Sequence, residues 1–281
     1  MDRSDSSTAE EEIYIILKEV LTSENKQIID CYGRAFLRNL LNSSRENSMQ
    51  MNIVHEGRYI FKGYPSGNYI KQFAKVICLW SQLGTFPISF LNLTGFDSEI
   101  TRKEIENLSV LSSLVVDLVS RLNDPAVPGL AENLLLRMGS RGVLTCLGIR
   151  RTQGSIDKYL PPSKSNLERS FLQLHTAEES KKSSLTVGAR ALTKHCHRSS
   201  DGFWGKITGT ETMKNAVAQQ VLERFFTNCV WINIHCLPNE EPVIEVRVQE
   251  GYGVRWLINK QQFRGFLEPQ MEGGHERGWR H

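Results

Sequence analysis

Trp231, Asn233 and His235 alternate along one stretch of the chain, and Glu245, Arg247 and Gln249 alternate along the next. If both stretches are extended, alternate side chains share a face, so these six would meet on one surface. An indole, an amide, an imidazole and an opposed charge pair could hold a polar ligand or a base. The same set could also be the wet side of an antiparallel sheet, with its charges paired across strands. His235, Glu245 and Arg247 are the catalytic candidates in this set, and Trp231 and Asn233 complete the expected ligand face.

His195-Cys196-His197 is the densest group of potential metal ligands. Extended backbone would turn His195 and His197 the same way, with His235, Cys236 or His275 completing a zinc site, whereas helical backbone would make them diverge. The spacing matches neither paired-cysteine structural zinc sites nor HExxH, so a cofactor, zinc included, is not assigned. GxxxxGK[ST] and GxSxG are absent. Gly205-Lys206-Ile207-Thr208-Gly209-Thr210 resembles an anion-binding helix start. Cys196, flanked by two histidines, is the one cysteine beside an evident base.

The elements that must position these groups follow from periodicity. Residues 10–22 and 24–41 carry apolar stripes at helical spacing, residues 49–54 and 58–62 read as a hairpin around His55-Glu56-Gly57, and Tyr69 to Trp80 is a helix ending near Gly84. Residues 88–93 suit a buried strand. One long helix is expected from Asp97 or Ser98 to Asn123-Asp124-Pro125, then a short one at 129–138 and an apolar run at 143–149 that could be helix or strand. Towards the C-terminus, Thr210 or Thr212 caps a helix with Val217, Val221, Leu222, Phe225 and Phe226 in one stripe. Strands follow at 229–237, 243–249, 254–258 and 263–267. The fold class is α+β: a mainly helical N-terminal domain (1–150), a basic serine-rich linker (151–184) and a C-terminal helix packed on an antiparallel meander (185–281).

Four of the five tryptophans and five of the seven histidines fall in the last 87 residues, among closely spaced glycines. Trp204, Trp231 and Trp256 would then gather with the imidazoles around an open pocket for nucleic acid or a nucleotide. Charge is uneven as well. Residues 141–198 hold eleven cations against four acids, a balance that would attract an anionic partner or simply keep a linker solvated.

Within that basic stretch, Gln153-Gly154-Ser155-Ile156-Asp157-Lys158-Tyr159-Leu160 carries a glutamine, an aliphatic residue three later and an aromatic at the following turn. This octapeptide resembles the peptide by which replication and repair proteins bind the sliding clamp, proliferating cell nuclear antigen. The resemblance implies a one-turn helical plug using Gln153, Ile156, Tyr159 and Leu160. Leu160 stands where the second aromatic is expected, which implies weaker binding.

The 281 residues, 40% of them apolar, suffice for a core without staples. Six scattered cysteines suit a reducing compartment, and the acidic start MDRSDSSTAEEE resembles neither a secretory signal nor a mitochondrial presequence. An intracellular protein, nuclear or cytoplasmic, is therefore expected, without a membrane span. The leading expectation is a nuclear interaction protein with a docking peptide and a C-terminal ligand face. Its alternatives are a phosphate- or metal-dependent enzyme using the C-terminal His/Glu/Arg cluster, and a ligand-free scaffold.

Overall fold

A computed structural model of the chain describes residues 3–42, 51–54, 58–65, 67–96, 98–175, 184–197, 202–238 and 241–270. Its architecture is α+β, as the sequence patterning predicts. Two compact units divide the chain: one comprises residues 1–61, 65–90 and 97–161, the other 62–64, 91–96 and 162–281. The stretch expected to be a linker is thus shared, with 151–161 in the first unit and 162–184 in the second.

The first unit is helical apart from a small sheet. α1 (Arg3–Thr22) buries Ile13, Leu17, Val20 and Leu21, a spacing that keeps them on one face, and packs on α4 (Tyr69–Leu83). The second expected helix is two, α2 (Lys26–Tyr32) and α3 (Arg34–Leu41), because Gly33 at φ 78° breaks the ladder between them. β1 (Met51–Val54) and β2 (Arg58–Phe61) pair antiparallel; the loop assigned to His55-Glu56-Gly57 lies outside the described residues. β3 (Ile88–Ser89) is shorter than expected and runs parallel to β2.

The expected long helix from residue 98 is also divided, into α5 (Glu99–Ser109) and α6 (Ser112–Ser120). Serine hydroxyls account for the break: Ser109 and Ser112 donate to the carbonyls of Ile105 and Ser109, and Ser112 Oγ accepts the Trp80 indole N–H at 2.8 Å. α7 (Val127–Cys146), bent at Gly139, takes in the ambiguous apolar run as helix up to Cys146, and residues 147–149 leave it through a turn.

The second unit holds the sheet. α8 (Lys164–Leu172), α9 (Val187–His195) and α10 (Glu211–Asn228) pack with a meander of β4 (Trp231–Cys236), β5 (Pro242–Arg247), β6 (Gly253–Leu257) and β7 (Gln262–Leu267) in the order β4-β5-β6-β7. Thr186 and Thr210 hydroxyls cap α9 and α10 by accepting the N–H groups of Ala189 and Met213. Val221, Leu222, Phe225 and Phe226 of α10 are buried, as are Ile232, Ile234, Ile244, Val246, Val254 and Trp256 of the strands. Gly188 admits α8 to α9: a Cβ there would lie 2.2 Å from the Phe171 ring. Among the described residues, no helix is long and apolar enough to cross a membrane.

Candidate functional site

The register brings five of the six predicted residues together, while Gln249 falls in an exposed turn beyond β5. Trp231 pairs with Arg247, Asn233 with Glu245 and His235 with Val243, and β6 extends the row by setting Arg255 opposite Glu245. What the sequence did not reveal is the cover. Trp231, Asn233, Glu245 and Arg247 are only 1–3% exposed. Phe96, from the segment 91–96 that folds into this unit, lies 4.9 Å from the Trp231 ring and 5.0 Å from the Arg247 guanidinium. The expectation of an open ligand face is therefore corrected: the wet side of this sheet is interior over most of its area.

Charge is accommodated there by mutual pairing. The Glu245 carboxylate accepts from Arg247 Nε at 2.5 Å and from Arg255 Nε and Nη2 at 2.9 and 2.5 Å. Arg247 also donates to the carbonyls of Gly251 and Glu268. Burial would raise the Glu245 carboxyl above its ordinary pKa, but Arg247, Arg255 and His235 outweigh it and hold it below. His235 Nε2 stands 3.9 Å from Glu245 Oε2. Burial lowers the His235 pKa, the two guanidiniums add to the shift, and Glu245 opposes it.

Trp204, Trp231 and Trp256 are likewise interior rather than gathered round a pocket, and Trp279 lies outside the described residues. Trp204 lies among Phe203, Phe225, Tyr252, Phe266 and His195, and Trp256 stacks near Phe226. His195 ends α9 and is buried, while His197, past the helix end, is exposed, so the two diverge as helical backbone requires. His275 lies outside the described residues. Among the described residues, no three of His, Cys, Asp and Glu group as metal ligands. The α10 start carries its own carboxylate, Glu211, which accepts from the Ser184 amide and hydroxyl.

An open site exists elsewhere in the same unit. A cleft of about 560 Å³ runs along α9, β7 and the end of β4, lined by Lys194, His195, Leu237, Pro238, Arg255, Arg264 and the stretch Gly265–Leu267. Lys194 and Arg264 are exposed, and neither forms an ion pair among the described residues. Arg255 is held from behind by Glu245, its side chain 19% exposed. His195 Nε2 is 2.7 Å from Glu268 Oε1, which also accepts the Trp204 indole N–H at 2.9 Å. That carboxylate is within ion-pair distance of the ring edge. The cleft thus sets three cations and an imidazole with a carboxylate beside it against an apolar wall of Leu237 and Pro238, a combination suited to a phosphate-bearing ligand.

Sequence reasoning singled out His195 here, but as a metal ligand, and counted Lys194 only as part of a basic stretch. Arg255 and Arg264 were missed. Arg255 had a signal: continuing the alternation from β5 to β6 sets it across from Glu245. Arg264 had none, because it sits beside the register shift at Arg255/Trp256.

The clamp-binding octapeptide does not form the expected plug. Gln153 and Gly154 make a turn, the segment has no helix, and Leu160 is 7% exposed. Comparison with known proteins points elsewhere. No curated protein and no solved structure matches the chain. Residues 174–268, about a third of the chain, match the family model of the CdiA C-terminal tRNase toxin domain. This match overturns the resemblance to a clamp-binding peptide and the nuclear interaction protein inferred from it. Neither alternative, the phosphate- or metal-dependent enzyme using the C-terminal His/Glu/Arg cluster or the ligand-free scaffold, matches it, and the segment it covers is similar to a domain of nuclease type.

Proposed function

We propose that the second unit is an RNA-cleaving domain acting on tRNA, with the substrate's phosphodiester seated in the basic cleft. The observation that carries this reading is a coincidence of position: Lys194, His195, Arg255, Arg264 and Glu268 all fall within the 174–268 stretch that resembles a tRNase toxin domain. RNA can be cut by its own 2′-hydroxyl, whose oxygen bonds to phosphorus as the bond to the 5′-oxygen breaks. That reaction needs a group to move protons between the two oxygens and cations to stabilise the phosphoryl charge. His195, oriented by Glu268, takes the proton-transfer role; Lys194, Arg255 and Arg264 take the phosphate.

The test is incubation of the full chain with tRNA, with single-stranded DNA of matched length as control. Cleavage of tRNA to fragments ending in 2′,3′-cyclic phosphate, with DNA untouched, is the expected result. Intact tRNA at high enzyme, or equal cutting of DNA, would overturn the reading.

A further inference from the structure

Glu245 has the residue types of a catalytic cluster around it but no access to a ligand, being 2% exposed. Its connections show what it does instead. One carboxylate oxygen is held by Arg247, itself tied to the carbonyls of Gly251 and Glu268; the other holds both Nε and Nη2 of Arg255. Arg255 is the member of this network that also lines the cleft. Two N–H groups converging on one oxygen hold the Nε/Nη2 edge of a guanidinium toward that acceptor, where a single contact would leave it freer to swing. The N–H groups not engaged by Glu245 remain for a ligand.

From this geometry we infer that Glu245 is a positioning residue for the cleft: it clamps Arg255 from the buried side so that the guanidinium presents its outer edge to the substrate phosphate. The inference rests on the proposed RNA reading for the identity of the ligand, and on the hydrogen-bond geometry for the clamp itself. Arg247 anchors the same carboxylate to the backbone carbonyls of Gly251, beside β6, and of Glu268, past the end of β7.

The experiment is a double-mutant cycle of Glu245→Gln and Arg255→Ala, reading kcat and KM for tRNA cleavage, with the thermal midpoint of each variant measured alongside. Glutamine keeps the shape and one acceptor oxygen while removing the charge. Expected is a rise in KM of about fivefold for Glu245→Gln with kcat within about twofold, and no further rise when it is added to Arg255→Ala. An equal rise in both backgrounds would mean a general structural role and overturn the inference, as would an unchanged KM in a folded Glu245→Gln variant. Nuclear magnetic resonance of the Arg255 Nε–H supplies a readout that needs no RNA: slow exchange in the wild type, fast in Glu245→Gln. If wild-type chain fails to turn over tRNA, the RNA reading falls while this exchange measurement still decides the clamp. Fast exchange already in the wild type would overturn it.

Discussion

The sheet face around Glu245 and the cleft beside α9 are built from the same kinds of side chain, yet they do different work. On the face, Arg247 and Arg255 both pair with Glu245, and Phe96 lies against Arg247. In the cleft, Lys194 and Arg264 are exposed and without ion pairs among the described residues, and His195 has a carboxylate behind it. A buried charge must be met by a partner within the fold, so it becomes structure; a solvated cation keeps its field for an incoming anion. Arg255 belongs to both regions, which makes it the hinge of the comparison.

Breaking the cleft at its imidazole should have the largest effect. His195→Ala is expected to lower kcat for tRNA by about 10²–10⁴-fold. Steady-state kinetics would measure it, and a drop of less than about tenfold in a folded variant would remove His195 from the proton-transfer role. Breaking the buried face should instead show in stability. Arg247→Ala strips Glu245 Oε1 and the Gly251 and Glu268 carbonyls of their donor in an interior site and should cost about 3–5 kcal/mol in denaturant unfolding. A cost below about 1 kcal/mol would mean that the face is more open in solution than its burial implies.

Smaller changes sharpen the contrast. Lys194→Ala and Arg264→Ala should each weaken RNA binding across sequences and lower the slope of log affinity against log salt by about one, with the thermal midpoint unmoved. An unchanged slope would place the phosphate elsewhere. The smallest effect concerns pH. His235 has a folded-state pKa below its ordinary value, so the unfolded chain binds more protons as pH falls. Its contribution to stability is full above about pH 6.5 and declines as pH drops through that value toward the folded one. The depressed Glu245 carboxyl adds a second decline, present above about pH 4.3 and lost below it. Unfolding midpoints measured from pH 8 to 3 should therefore fall in two stages, and His235→Gln should erase the first.

The four-stranded meander and α10 were legible because alternation of period two and a helical stripe are local signals. They set Asn233 and Glu245 on the same face, while the pairing of one with the other came only from the structure. Other features were not. The division of the helix after Ser109 depends on hydroxyls competing for backbone carbonyls and on an indole donated from α4, a contact between residues far apart in sequence. α9 went unseen because Val187-Gly188-Ala189 presents little side chain; its glycine answers to Phe171 on another helix. The face was misjudged for a related reason. Alternation tells which side chains share a surface, but only the path of residues 91–96 decides whether that surface meets water. The cleft joins residues from α9, β6 and β7 that no short spacing connects.

The most direct test of where RNA sits is hydrogen–deuterium exchange of the folded His195→Ala chain with and without saturating tRNA. New protection is predicted in residues 191–195 and 262–267, with residues 231–235 and 243–247 unchanged because they are already buried. Protection confined to peptides outside the cleft would contradict the account.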